Sequence, residues 1–280
     1  MAGKSRRVVL ALLYDGSAFF GYQRQPGLPT VESVVLSAIS GCEPEGGLLY
    51  SYSSRTDRGV SALWQTLSFL ARSECSLKEL VERIEGSSER IGVWAASEEA
   101  PPEFHARRWA LWRDYVYVDE ASNYECADLR ELNSVLSIFT ALRDHSVLYK
   151  DWLKRPREGY FERRILRIEV KAEGRRVFLW VRGESFPIHY VRRLVHFARS
   201  YRCGTGFRAH AELWRPGEAE GSRLFLVGVK YPIALRVLDP RAKLSRVFRG
   251  GDLLDDLISF LEASPEVLSP FSPLSSSRAR

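Results

Sequence analysis

The chain has little sulfur and little histidine. Its 280 residues include four cysteines, one methionine and five histidines. Cys42, Cys75, Cys126 and Cys203 stand far apart and make no CxxC pair and no Cys/His ligand spacing. A structural zinc site and a disulfide framework are therefore not expected, and reduced cytosolic thiols are the simple reading. A chain of this length buries a sizeable core without covalent staples. The histidines form no HExxH and no i,i+4 pair, and no P-loop or GxGxxG run occurs. Nothing thus indicates a metal or a nucleotide cofactor. No apolar run approaches the length of a membrane span, and the basic start, Met1 to Arg7, leads into no apolar signal region. The expectation is a cytoplasmic protein with no membrane association.

What is present fits a globular chain that meets something acidic. Hydrophobic residues make up 45% and charged residues 27%, the balance of a soluble domain or pair of domains. The formal charge is +6, which makes nucleic acid the first candidate partner.

Periodicity divides the chain into two halves with one element order. In the first, Arg7 to Tyr14 reads as a strand ending at the turn Asp15-Gly16-Ser17. Thr30 caps a helix from about Val31 to Gly41. Leu48 to Ser53 and Ala62 to Ala71 read as strands, Ser76 caps a second helix that stops at Gly86, and Ile91 to Ala96 is a last strand. In the second half, Asp114 to Val118 is a strand and Ala127 to Leu142 a helix. Ile165 to Ala172 and Val177 to Gly183 form a hairpin through Glu173-Gly174. His189 to Tyr201 is a helix and Leu224 to Tyr231 a final strand.

Each half resembles the β-α-β-β-α-β unit of ferredoxin-like folds. The expected class is α+β: two such domains joining into a mostly antiparallel sheet, with helices on one face and a central cleft. The expected divisions are 1–100, 101–235 across the linker Ala100-Pro101-Pro102, and an extension over 236–280. In that extension Gly251 to Ala263 reads as a helix and Ser264 to Arg280 as a mobile Ser/Pro-rich end.

Three clusters carry chemistry. Ser53-Ser54-Arg55-Thr56-Asp57-Arg58-Gly59-Val60-Ser61-Ala62 places one carboxylate between two arginines, in a loop between strands. This is a negative nucleophile or base beside a surface that attracts phosphate, although an aspartate before glycine is most often a turn residue. Phe104-His105-Ala106-Arg107-Arg108-Trp109 and Arg113-Asp114-Tyr115-Val116-Tyr117 interleave aromatics with arginines. That mixture stacks on bases and meets phosphates. Trp109 and Trp112 are read as packing residues. In His189-Tyr190-Val191-Arg192-Arg193-Leu194-Val195, Arg192 edges an apolar helix stripe and calls for a carboxylate partner. Asp57 is a candidate.

With these residues in view, the chain resembles the TruA-type tRNA pseudouridine synthases over about Val8 to Tyr231. Tyr14-Asp15-Gly16-Ser17-Ala18-Phe19-Phe20-Gly21-Tyr22-Gln23-Arg24-Gln25 is similar to the opening YDGSxFxGWQxQ, with Tyr22 in place of Trp. Arg55 to Ala62 matches RTDxGVxA, Phe104 to Arg107 matches FHAR, and Arg113 to Tyr117 matches RxYxY. Phe186 to Val195 resembles FLHHMVRxIV. Arg58 and Ser61 stand where bacterial members carry Ala and His, so the variant looks more like the archaeal and eukaryotic branches. Arg143 to Leu148 is a poor copy of HDFSxF, and Pro187-Ile188 replaces Leu-His.

The resemblance implies an isomerase that detaches uracil from ribose at N1 and rejoins it through C5, with no cofactor. Asp57 would be the essential carboxylate, by covalent attack or by removing a ribose proton. Tyr115 would stack on the target base, and Arg192 would pair with Asp57 and aim it. Arg55 and Arg58 would lie near phosphates of the flipped nucleotide, with Arg24 and Arg107 also binding substrate. The family acts on uridines 38 to 40 of the tRNA anticodon arm as a homodimer. The same reaction at other RNA uridines, or a non-catalytic RNA-binding protein on this scaffold, are the alternatives.

Overall fold

A computed structural model describes residues 5–152, 157–238, 240–267 and 269. The chain is α+β, and its sheet pairings given by register are antiparallel. It divides into two compact units, Met1–Leu111 with Leu226–Arg280, and Trp112–Phe225.

The first unit begins with β1 (Ser5–Tyr14), α1 (Val31–Ala38), β2 (Ser51–Tyr52), β3 (Ser61–Arg72), α2 (Leu77–Ser87) and β4 (Ile91–Ser97). β1 lies between β3 and β4, and β2 pairs with β3. Val8 to Leu13 are fully buried, so β1 forms the spine of this core. Both helices start as the sequence dictates. The Thr30 hydroxyl accepts from the Ser33 N–H at 3.2 Å, and Ser76 accepts from Glu79 at 3.2 Å. The strand expected over Leu48 to Ser53 is reduced to two residues. Leu49 takes φ 41° and is exposed, and an L-residue in the left-handed region breaks the pleat.

The second unit holds β5 (Trp112–Glu120), α3 (Leu129–Ala141), β6 (Ile165–Glu173), β7 (Arg176–Gly183), α4 (Tyr190–Arg199) and α5 (Phe207–Leu213). Its strand order is β6-β7-β5. The β6–β7 hairpin turns at Gly174, φ 58°, as expected. Phe139 of α3 meets Phe197 of α4 edge-on at 5.2 Å and closes the core.

β8 (Leu224–Lys230) leads back into the first unit, where it lies beside β3. β9 (Arg236–Val237) pairs with β4. α6 (Pro240–Val247) packs on β4 and β1, and α7 (Asp252–Ala263) follows. The division therefore falls at 111/112, not at Ala100-Pro101-Pro102. The reason is local. The Arg7 guanidinium grips the Pro102 carbonyl at 2.7 and 3.0 Å, Phe104 packs against Trp109 and Tyr231, and the Leu111 N–H reaches the Lys230 carbonyl. Residues 101–111 belong with the first core. The described residues from Arg236 onward do too, through β9, α6 and the Arg246 bond to the Ile91 carbonyl. Of the Ser/Pro-rich end, all but 264–267 and 269 lies outside the described residues.

The cysteine expectation is overturned. Cys42 bonds Cys75 and Cys126 bonds Cys203, with Cα separations of 5.9 and 4.9 Å. Sequence distances of 33 and 77 residues hid both pairs. In each unit the bridge ties the end of one helix to the end of another. Cys42 follows α1 and Cys75 precedes α2, while Cys126 precedes α3 and Cys203 follows α4.

Candidate active site

The loop between β2 and β3 is held from below by buried groups. The Tyr14 hydroxyl hydrogen-bonds Thr56 Oγ1 at 2.7 Å, and the Thr56 carbonyl accepts from the Tyr22 N–H at 3.1 Å. Both tyrosines and Thr56 are buried. The Asp57 carbonyl accepts from the Val60 N–H, closing a turn across Arg58 and Gly59, φ 81°. Ser61 Oγ accepts from the Gly16 N–H at 3.0 Å. A Cβ on Gly16 would stand 2.2 Å from the Val60 carbonyl oxygen, so the Asp15-Gly16-Ser17 turn and the Asp57 loop interlock only because that side chain is missing. Upstream, Gln65 accepts from the Ser54 N–H at 3.2 Å and donates to the Ser54 carbonyl at 2.7 Å. The result is a rigid backbone beneath a half-buried Asp57, with Arg55 and Arg58 exposed on either side.

The other arginines of this unit take distinct places. The Arg58 guanidinium lies 4.4 Å over the Phe20 ring. Arg24 is exposed, and its N–H donates to Glu32 Oε2 at 2.7 Å. Arg107 is exposed at a turn in which His105 Nδ1 accepts its N–H. Burial, then Glu32, push the Tyr52 hydroxyl up, while Arg107 and Arg55 pull it back. A tyrosine cluster thus adjoins the loop, with Tyr22 and Tyr52 rings at 4.6 Å and the Tyr22 and Tyr50 hydroxyls bonded. Sequence reasoning missed Tyr50, Tyr52 and Glu32. The i,i+2 spacing of the tyrosines was the available signal.

In the second unit, Tyr115 is buried on β5 with its ring edge-on to Phe186 at 5.4 Å. Tyr117, two residues on, bonds Glu220 at 2.7 Å and Arg199 at 3.1 Å. On α4, Arg192 has a carboxylate partner within its own unit, Glu218, at 3.2 Å, and its Nε donates to the Ala219 carbonyl at 2.7 Å. Arg193, not Arg192, is the buried arginine, held by Asp151 at 2.7 Å. The guanidinium holds the Asp151 carboxyl below its ordinary range. Glu218 and Asp151 were not read from the sequence, since both lie in irregular segments without a motif.

No protein-family model matches the chain. The tRNA pseudouridine synthase A of Thermococcus kodakarensis is 31% identical over 243 residues, covering 81% of this chain and 85% of the relative. That of Pyrococcus abyssi is 32% identical over 242 residues, 80% of this chain and 84% of the relative. The Methanothrix thermoacetophila protein of the same name is 35% identical over 190 residues, 68% of this chain and 67% of the relative. The chain belongs to the tRNA pseudouridine synthase A family.

Within that family pattern, two of its departures have structural explanations. Tyr22, in place of the usual Trp, keeps its ring in the buried cluster and adds a hydroxyl that bonds Tyr50. Ser61 is buried and spends its hydroxyl on Gly16, so it acts on the loop from inside. His145, in the weak copy of HDFSxF, is buried. It hydrogen-bonds Tyr190 at 3.1 Å and the Arg163 carbonyl at 3.1 Å, and burial lowers its basicity. The expectation that most histidines are structural holds for it and for His210, which bonds the Phe197 carbonyl. Among the described residues no helix is long and apolar enough to cross a membrane.

Proposed function

We propose that this protein converts uridine to pseudouridine in tRNA, with Asp57 as the essential carboxylate. The observation that carries the reading is the interlocked loop. Four backbone and side-chain anchors fix Thr56 through Ser61 and leave the Asp57 side chain between two exposed arginines. A turn aspartate that merely served its own loop would not need that frame in a basic chain of this family.

In the reaction the C1′–N1 bond breaks and a C1′–C5 bond forms. N1 takes up a proton and C5 loses one, so the product is an isomer. Asp57 serves as nucleophile or as base. Tyr115 stacks on the base and Arg192 pairs with Asp57. Arg55, Arg58, Arg24 and Arg107 meet phosphates. Flipping a paired uridine costs a few kcal/mol, which those interactions offset. We read each unit as a ferredoxin-like domain. In the first, the strand order β2-β3-β1-β4 with helices after β1 and β3 supports this. The enzyme is a homodimer in this reading, and its targets are uridines 38 to 40 of the anticodon arm. Arg58 favours a second reading in which other RNA uridines are modified. It is exposed, stacked on Phe20, and stands where bacterial members carry Ala.

The test is incubation with unmodified tRNA transcripts and mapping of pseudouridine by position, with Asp57→Ala alongside. Modification at 38 to 40 by the wild type alone is expected. Equal activity in the variant sinks the role of Asp57, and modification elsewhere selects the second reading.

A further inference from the structure

We propose that Glu218 is a positioning residue that sets the guanidinium of Arg192. The inference rests on the reading of Arg192 as the arginine that aims Asp57. Two nitrogens of Arg192 are fixed by one short segment. Nε donates to the Ala219 carbonyl at 2.7 Å, and Nη1 lies 3.2 Å from Glu218 Oε2. The Ala219 N–H returns a bond to the Arg192 carbonyl at 3.1 Å, so segment and helix are locked in register.

The carboxylate is itself held on its other oxygen. Glu218 Oε1 hydrogen-bonds His189 Nδ1 at 2.7 Å and accepts from Arg193 Nη2 at 3.1 Å. His189 takes φ 58° at the start of α4. That conformation is uncommon outside glycine and needs support from its surroundings, and the Glu218 bond supplies it. Next in the chain, Gly217 passes so close to His196 that a Cβ there would fall 2.4 Å from the ring. The segment therefore has one path past α4. A guanidinium with two fixed nitrogens keeps a defined plane, where a lone arginine would sample many rotamers. Arg192 and Arg193 are adjacent; Asp151 pairs with Arg193, and the carboxylate of Glu218 touches both.

The test is a double-mutant cycle on tRNA transcripts. Glu218→Gln is expected to lower kcat by about 10- to 100-fold, the scale of a small misplacement of a reacting group, with KM little changed. Glu218→Asp should recover part of the loss. Because Glu218 acts through Arg192, the double variant with Arg192→Lys should be no slower than Arg192→Lys alone. Asp151→Ala, which loosens Arg193 but leaves the Arg192 interactions in place, is the control for a merely structural effect, and its kcat should stay near that of the wild type. Multiplicative losses in the double variant overturn the inference, as does an equal kcat loss in Asp151→Ala. A wild type that forms no pseudouridine overturns the proposed function and this inference with it, whereas an active wild type with multiplicative losses overturns this inference alone.

Discussion

Breaking the two disulfides should destabilise the protein in an order and by amounts that follow from their positions. Cross-linking residues 33 apart removes loop entropy from the unfolded chain equivalent to about 3.7 kcal/mol, and 77 apart about 4.5 kcal/mol, on the chain-entropy relation. Each kcal/mol moves the midpoint of a unit of this size by about 2 to 4 °C. Cys75→Ser with Cys42→Ser should lower the melting midpoint by roughly 7 to 15 °C, and Cys126→Ser with Cys203→Ser by roughly 9 to 18 °C. Access sets the order under a mild reductant. Cys203 is exposed whereas Cys42 is fully buried and Cys75 nearly so, so the Cys126–Cys203 bridge opens first. The assay is calorimetry of the three proteins, with thiol titration of the denatured wild type before and after reduction. Four free thiols in the untreated protein, or midpoints within a degree or two of the wild type in both pairs of variants, would refute the reasoning.

Gly16→Ala places a methyl 2.2 Å from the Val60 carbonyl. It should cost about 3 kcal/mol, the upper end of overpacking, and reduce pseudouridine formation by shifting the Asp57 loop; chemical denaturation with full retention of activity would count against the interlock. Arg55→Ala or Arg58→Ala should weaken tRNA binding and flatten the log K against log salt slope by about 0.7 to 0.9 for each phosphate that goes unneutralised, so an unchanged slope removes that role. Glu220 has its carboxyl drawn down to about 2, first by the Tyr117 hydroxyl bond and also by Arg199. Its depressed folded value means that its stabilisation is present above the ordinary 4.5 and is lost as pH falls toward about 2. Because the side chain is largely exposed, the effect is small. The stability gap between wild type and Glu220→Gln should therefore be widest near neutral pH and shrink on acidification, and a gap that is constant with pH would contradict it.

Local signals were legible in the sequence where one residue decides one backbone choice. Thr30 and Ser76 begin helices because their hydroxyls satisfy the first free N–H groups, and Gly174 turns a hairpin because it accepts a positive φ. The Asp57 loop was legible as chemistry, but not its foundation. Nothing in the string ties Tyr14 to Thr56, or Gly16 to Val60, across more than forty residues. The same limit hid both disulfides, since wide spacing argues against a ligand cluster yet says nothing about which helix ends meet. α5 was missed because seven residues after a Gly-Thr-Gly stretch give less than two full helical periods. The boundary at 111/112 was misplaced because Pro101-Pro102 punctuates like a linker, while Arg7 pins Pro102 to the first core.

In the proposed function, Asp57 makes two separate demands on the fold. The loop must hold still, and the charge must be aimed. The first is met by neutral buried groups, namely Tyr14, Thr56, Ser61 and the absent side chain of Gly16, which fix the backbone with no charge of their own. Burying those hydroxyls costs little because each has a partner. The second, in the proposed function, is the task of Arg192, whose own surroundings are ionic: Glu218 touches His189, Arg192 and Arg193. Keeping the opposing charges there lets Arg192 be oriented by a carboxylate other than the one it is proposed to serve. An arginine satisfied only by Asp57 would have to surrender that bond whenever substrate required the carboxylate, and its orientation would go with it. With Glu218 and the Ala219 carbonyl as partners, Arg192 is expected to keep its plane through such a change, so the Glu218 variants should alter turnover more than binding.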